Sequence, residues 1–319
     1  EIASCLVGSE MCIRDRNRPD SLARTIRYMS ECDVKPDQIV IVDQSQSEQH
    51  QSENRKVIED YKRTFQKIDY IYQDIPSLTK ARNIGVYYAE NEVIVFSDDD
   101  VDVRKNTFSC LASLFENKYT AMVGGVNEGE EEVHSSLSSF IFGMASYLKR
   151  DIGHVSRACY GRFPEYTSEC TPTEWVMGFF FAVRKSLMDK WNARFDENLR
   201  SYAYAEDLDF SYGYYLHAEN EDLSCFMSRS ITVKHNVSKE YRIPKRNHIF
   251  MSVLHRYYIS KKYNMPIYEL HNLWCNFGIF IFKILKRERP VDMFDAQLFY
   301  YRHRTEILKG NFLNELWTK

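Results

Sequence analysis

The sequence predicts an α/β fold: a mostly parallel central sheet flanked by helices, with a helical appendage at the C-terminal end. Three observations predict it. Short apolar, β-branched runs alternate with segments of helical period between residues 19 and 126, the pattern of βαβ units, whose strands run parallel. Two of those runs end in aspartate, at Asp43 and Asp98, and in such sheets ligands bind beyond the carboxyl ends of the strands. After residue 241 strand character stops, and basic helical segments with apolar stripes take over.

Taken in order, residues 1–16 stand apart. They carry neither a strand alternation nor a helical stripe, and residues 6–16 resemble translated sequencing-adapter DNA. On that reading a natural first strand has been lost or replaced. From Asn17 the pattern is legible. Residues 19–31 read as a helix, with Pro19 in its first turn. Residues 38–42 form a strand that runs into Asp43-Gln44-Ser45. A polar-faced helix over 53–67 leads to a strand over 68–73. A helix over 77–90 has Ser77 or Thr79 as its N-cap. The apolar strand 93–97 runs into Asp98, followed by a helix over 105–117 and a strand over 120–126. Residues 128–132 hold four glutamates and read as a solvated loop. Residues 135–149 read as an amphipathic helix, 175–183 as an apolar strand-like run through Gly178, and 206–216 as a helix with an acidic N-terminal end. A strand over 230–234 ends at His235, and 245–263 is a basic helix.

The 319 residues are 44% hydrophobic and 27% charged, enough for a full core. A net charge of -3 leaves no basic footprint for nucleic acid. The 22 tyrosines and 20 phenylalanines fill cores first, and also suit sugar clefts and membrane surfaces. Eight scattered cysteines form no C-x-x-C pair, so reduced thiols are expected rather than a zinc site. No leader-type segment is seen. The longest apolar run, 273–285, holds Asn276 and Lys283 and falls short of the ~20 residues that span a bilayer. A cytoplasmic protein is expected.

Chemistry concentrates at four places. Asp98-Asp99-Asp100 follows an apolar strand. Adjacent carboxylates repel, and at a strand end they need a cation or a hydrogen-bond network. Oxygen ligands of this kind suit Mg²⁺ or Mn²⁺, which completes its shell with diphosphate and water. An acidic turn has the same appearance. Glu206-Asp207 with Asp209 opens a helix, whose N-terminal partial charge favours ionised carboxylates. One of them can take a proton from a hydroxyl, although an acidic first turn is the plainer reading. Lys80-Ala81-Arg82-Asn83 opens the helix before the Asp98 strand. Cations there can meet a diphosphate, or simply be solvated. A lone histidine such as His235 is more often structural than a ligand.

The order of these pieces carries more than any one of them. Strand–Asp43-x-Ser45, Lys80 to Asn83 before strand–Ser97-Asp98-Asp99-Asp100, Trp175-Val176-Met177-Gly178, Glu206-Asp207-x-Asp209, then strand–His235 resembles glycosyltransferase family 2 of bacterial type. The resemblance covers about residues 17–264. It implies the GT-A (nucleotide-diphospho-sugar transferase) fold, with a mixed, mostly parallel central sheet. It implies a catalytic domain over 17–240, after an atypical segment over 1–16, and a helical region over 241–319. The implied reaction is inverting, metal-dependent glycosyl transfer from a nucleoside-diphosphate sugar to a hydroxyl of a glycan or lipid-linked acceptor. Mn²⁺ or Mg²⁺ is the implied cofactor.

The resemblance also implies residue roles. Asp43, with Ser45 beside it, matches the acidic residue at the donor's nucleobase, and Arg82 the basic residue near the nucleotide. Asp98 and Asp99 fall on the donor, Asp98 and Asp100 on the metal, and His235 assists metal or diphosphate. Asp207 matches the catalytic base. Trp175, Gly178 and Glu206 match the acceptor side. One departure stands out: Asp15-Arg16 occupy the place of an apolar residue and threonine, which puts a nucleotide contact near residues 13–17 in question.

Two other functional classes compete. A nucleotidyltransferase needs a Gly-rich basic loop near the first strand, and none is seen. A non-catalytic carbohydrate-binding protein is opposed by the intact Asp98 to Asp100 and Asp207. Residues 241–262 set Arg242, Lys245, Arg246, Arg256, Lys261 and Lys262 beside Ile249, Phe250, Val253, Leu254, Tyr257 and Tyr258. A basic amphipathic helix of this kind, like the segment 273–287, lies well on an anionic membrane. Helices packed on the catalytic domain would have the same appearance; the family resemblance implies work at the inner membrane face, and peripheral contact there through 241–287 is the expectation.

Overall fold

The computed structural model describes residues 9–15, 17–129, 137–146, 152–164, 168–200, 203–236 and 243–312. The first half runs β1 (Ser9–Asp15), α1 (Pro19–Ser30), β2 (Gln38–Asp43), α2 (Glu48–Tyr61), β3 (Lys67–Tyr72), α3 (Leu78–Tyr88), β4 (Val93–Asp98), β5 (Val101–Asp102), α4 (Thr107–Glu116) and β6 (Thr120–Asn127). It continues with α5 (Leu137–Ile141), β7 (His154–Val155), β8 (Gly161–Arg162), β9 (Cys170–Pro172), β10 (Phe180–Arg184), α6 (Lys185–Lys190), α7 (Glu206–Glu219) and β11 (Ser224–His235). Three helices close it: α8 (Lys245–Lys262), α9 (Tyr268–Leu285) and α10 (Val291–Ile307).

Nine strands form one mixed sheet in the order β3-β2-β1-β4-β10-β6-β11-β5, with β9 also pairing β11. β1 to β4 are mutually parallel, β10 runs against both neighbours, and β6 and β11 run parallel. The central strands are apolar on both faces because both faces are covered. Ile39 and Ile41 of β2 and Val93 and Val95 of β4 join one core layer. Val40, Val42, Ile94 and Phe96, the alternate residues, join the other.

The N-terminal reading needs correcting here. Ser9–Asp15 is a strand, and a central one, paired to β2 on one side and β4 on the other. Met11 and Ile13 enter one layer and Cys12 the other. A strand buried on both faces shows no polar–apolar alternation, and three apolar residues are too short a run to declare it. Helix α3 packs hard on this strand: a Cβ at Gly85 would lie 2.9 Å from Cys12 Sγ.

Other elements depart from expectation at their edges. α2 begins at Glu48 rather than 53, because only Asn54 of that helix is buried and no apolar stripe marks its start. The helix expected over 135–149 is reduced to Leu137–Ile141, with residues 135, 136 and 147–149 outside the described set. So are residues 130–132 of the glutamate loop. The run from Trp175 pairs only from Phe180. β11 begins at Ser224, and an irregularity between Ser228 and Thr232 breaks its period.

The C-terminal helices build a second core with loops of the preceding α/β part. Ile249, Phe250, Val253, Leu254 and Tyr257 of α8 are all buried in it, and Tyr257 stacks on Tyr300 of α10 at 3.6 Å. Arg256 is buried too, donating to Ser252 O, Ala158 O, Asn272 and Asn276. α8 is thus an internal helix, and the apolar residues expected to face a membrane are taken by the core. Tyr241 and Arg242 lie outside the described residues. No helix among the described residues is long and apolar enough to cross a membrane.

Candidate functional site

The carboxyl ends of β1 and β4 lie side by side, with Arg14 in register with Asp98. The chain leaves β1 through Asn17, whose φ of 57° sits in the left-handed region that asparagine tolerates. That turn aims Arg18 back across the strand ends. Its guanidinium donates to Asp99 and, at 3.0 Å, to Asp100. Burial works against the Arg18 charge, but Asp99, Asp100 and Asp98 outweigh it and raise its pKa. Thr25 Oγ1 of α1 anchors the turn by donating to Asp99 O at 2.7 Å.

On the other side of Asp100, His235 closes the group from the end of β11. Its Nε2 lies 3.2 Å from Asp100 Oδ1, and its ring stacks on Phe179 at 5.1 Å. One ligand atom from each of Asp98, Asp100 and His235 falls within 4.8 Å of the others. Two carboxylates and an imidazole suit a divalent ion that accepts mixed oxygen and nitrogen ligands. Arg18 and Asp100 also line an open cleft of about 770 Å³ with Asn17, His50, Glu53 and Asn236.

A second set of groups abuts the first. Arg82, in the second turn of α3, is buried, and its Nη1 donates to both carboxylate oxygens of Glu206, each at 2.7 Å. Its other nitrogen donates to Gly178 O at 2.7 Å and lies 3.6 Å from Asp98. Phe195 and Phe181 sit against its planar face. Removing one partner from such a pair costs about 3–5 kcal/mol, because the other charge stays buried.

Asp207 follows Glu206 in the first turn of α7. Ala205, just before them, adopts φ 63°, a conformation that costs a residue with a Cβ about 1–2 kcal/mol. The turn brings Asp207 Oδ2 to Gly178 N–H at 2.9 Å, while Oδ1 accepts from Leu208 N–H at 2.8 Å. Burial raises the Asp207 pKa; the Gly178 N–H and Arg82 oppose that rise, and Asp98 adds to it. Gly178 is needed here. A Cβ on it would lie 2.8 Å from Arg82 Nη2 and 3.2 Å from Asp207 Cβ.

The fold therefore brings Asp98, Asp100 and His235 together, and joins them through Arg82 to Gly178, Glu206 and Asp207. It places Asp43 and Ser45 elsewhere on the rim, at the end of β2. Asp43 is fully buried, accepting from Ser45 N–H at 2.7 Å and from the Tyr70 hydroxyl at 2.5 Å. Ser45 Oγ donates to Asp15 and accepts from Asn17 N–H. Trp175 is buried, its indole N–H donating to Arg162 O at 3.0 Å and its ring packed on Phe163.

With the geometry in hand, the comparison that decides the family is the match of the glycosyl transferase family 2 model to residues 13–190. The chain belongs to this family. Its fold is GT-A, and the nucleotidyltransferase and non-catalytic readings fall away. Asp207 and His235 lie beyond the matched span, so their place in the site rests on the geometry above.

Two solved structures with TM-scores above 0.5 agree on the fold. The mannosyltransferase PcManGT of Pyrobaculum calidifontis, in complex with GDP-Man and Mn²⁺, is 12% identical with a TM-score of 0.58; the match covers 98% of this chain and 88% of that one. GalNAc-T7 with UDP, GalNAc and Mn²⁺ is 14% identical with a TM-score of 0.54, over 86% of this chain and 55% of that one. TarS of S. aureus is 15% identical with a TM-score of 0.48, and this chain spans 42% of its length. No curated protein sequence matches the chain.

Arg18 is the site residue that sequence reasoning missed. Its partners lie 81 and 82 positions away, and the local signal was the resemblance of residues 17–22 to the segment after the family's first strand, which gave Arg18 no role.

Proposed function

We propose that this family 2 enzyme transfers a sugar, with inversion, from a nucleoside-diphosphate donor to a hydroxyl of a glycan or lipid-linked saccharide, in a metal-dependent reaction. The observation that carries this reading is the continuity of the two sets of groups. Asp207 is held on Gly178, Gly178 on Arg82, and Arg82 lies against Asp98 of the carboxylate–imidazole triad.

The donor set fits Mn²⁺ or Mg²⁺, held by Asp98, Asp100 and His235. When bound, the ion supplies neutralisation of the charge on the departing nucleoside diphosphate. The structures of GalNAc-T7 and PcManGT each contain Mn²⁺ and a nucleotide or nucleotide sugar, which supports the choice of ion and of donor class. Asp99 and Arg18 set the position of Asp100. Asp207 takes the proton from the acceptor hydroxyl as it attacks the anomeric carbon. The two peptide N–H groups on its carboxylate leave it oriented across Gly178, whose missing side chain keeps that approach open. Arg82 holds Glu206 and Asp98 in place, Trp175 and Glu206 shape the acceptor side, and Asp43 and Ser45 form the base-facing end of the donor site. We also place the protein at the membrane periphery through its C-terminal region.

The test combines a thermal-shift panel of UDP, GDP, dTDP and CDP, with and without Mn²⁺, with sugar-transfer assays on the nucleotide sugar that responds. Asp207→Asn should lower kcat by about 10²–10⁴-fold and keep the donor-induced shift. Turnover at the wild-type rate would remove Asp207 as the base. A donor shift that ignores Mn²⁺, and persists in Asp100→Asn, would remove the metal.

A further inference from the structure

The exposed face of α9 is the surface the transferase site does not use. Leu270, Leu273, Trp274, Phe277, Ile284 and Leu285 are all exposed, with Leu285 at 72%. Their spacing of three, one, three, seven and one places them on one side of an α-helix. Asn272, Cys275 and Asn276, on the opposite side, are buried against the protein, and so is Gly278 on the flank of the stripe. Gly278 lets Phe142 sit directly on the helix.

The stripe does not end at the helix. Trp274 Nε1 donates to Ile141 O at 2.8 Å, so the exposed Phe140 and Ile141 of α5 lie beside it. Exposed apolar area of this extent on a folded chain marks an interaction surface.

Charge identifies the occupant. Within the stripe itself α9 presents no acidic side chain. Just past its last residues Lys286, Arg287 and Arg289 are exposed. Lys283 pairs with Glu288 at 3.0 Å, the one acid between 270 and 290, and Lys245 and Lys286 bear on that same carboxylate. A continuous apolar stripe with an exposed tryptophan, ending in cations that outnumber the acid among them, has the form of an interfacial helix. A self-complementary protein interface would set acids opposite these cations.

We propose that α9, with the α5 edge, docks the enzyme on an anionic lipid bilayer, the apolar stripe entering the headgroup boundary and Lys286, Arg287 and Arg289 meeting lipid phosphates. This deepens the lipid-linked limb of the functional reading: a transferase held at the surface meets an acceptor carried by lipid. It narrows the membrane face from the whole of 241–287 to α9 and the cations just past it, where the apolar residues are exposed.

The test is flotation of the full chain with vesicles of phosphatidylcholine alone and of phosphatidylcholine mixed with phosphatidylglycerol, at low and high salt. Binding is expected to the mixed vesicles and to fall with salt. Lys286→Glu/Arg287→Glu should weaken it by roughly thirtyfold, at about a few-fold per lost basic contact and more for reversal. Leu270→Ser/Phe277→Ser should weaken it similarly while cooperative thermal unfolding is retained. Equal binding of all variants, or no binding to mixed vesicles at low salt, would overturn the proposal. So would a dimer in solution that Leu270→Ser/Phe277→Ser dissociates, since the stripe would then belong to a second copy. Transfer to a water-soluble saccharide should be unchanged in these variants, so loss of docking and failure of the transferase reading are told apart.

Discussion

Replacing Lys262 by methionine tests whether the C-terminal helices hold α7 in place. Lys262 Nζ lies 2.8 Å from Asp209 Oδ2 and 3.0 Å from Asp196 Oδ2. Asp209 is two residues past Asp207 on α7, and its side chain is 1% exposed against 31% for Lys262. Tyr263 adds a bond from its hydroxyl to Asp209 O at 2.6 Å. Breaking a buried ion pair from one side costs about 3–5 kcal/mol. The partial exposure of Lys262 admits solvent screening, which brings the expected loss to about 2–3 kcal/mol. Burial already raises the Asp209 pKa, with Lys262 opposing the rise, and removing Lys262 lifts it further. A carboxyl whose folded pKa is raised gives up stability as pH climbs from its unfolded value through the folded one. The penalty of Lys262→Met should therefore be full at neutral pH and shrink on acidification. The assay is urea unfolding of wild type, Lys262→Met, Asp209→Asn and the double variant, read as midpoint shifts at constant slope. The double variant should cost less than the sum of the singles, with a coupling of about 1–3 kcal/mol. A coupling below about 0.5 kcal/mol, or a penalty that grows on acidification, would refute the reasoning.

Three other outcomes follow from the site. Gly178→Ala should lower kcat/KM by at least about tenfold and stability by about 1–3 kcal/mol, since the new Cβ crowds both Arg82 and Asp207; unchanged kinetics would show that the loop yields without disturbing either. Because Asp207 must be ionised to accept a proton and burial raises its pKa, the acidic limb of kcat/KM should lie above the ordinary aspartate range. A limb within that range would point to another base. Arg18→Met removes the cation between Asp99 and Asp100, so the variant should lose about 3 kcal/mol without metal and gain more thermal stability from Mn²⁺ than wild type does. Equal Mn²⁺ shifts in both would show that Arg18 does not share the carboxylates with the ion.

What the sequence disclosed and what it hid divide along a physical line. Strand ends are local: a β-branched run that stops at an aspartate reports its own position, and so Asp43 and Asp98 could be placed on one rim from the sequence. β1 escaped because a strand covered on both faces has no alternation, and Met11, Cys12 and Ile13 are too few to mark it as a run. α8 was legible as a helix but not as an internal one, because period alone cannot say whether an apolar face meets protein or solvent. That face is taken by Tyr300 and the rest of the second core, which leaves the exposed stripe to α9. The bonds that organise the site are of another kind. Arg18 to Asp99 and Asp100, Arg82 to Glu206, and Lys262 to Asp209 join charged groups that lie 53 to 124 positions apart. Such pairs obey no period, and each partner taken alone looks like a solvated surface charge. What the sequence does carry is the cost of burying them singly. Asp98 to Asp100 and Glu206, Asp207 and Asp209 are dense acidic clusters beside apolar elements, and burying them calls for cations or hydrogen-bond donors. Arg18, Arg82 and Lys262 meet that requirement, and the requirement could be read before its suppliers were known.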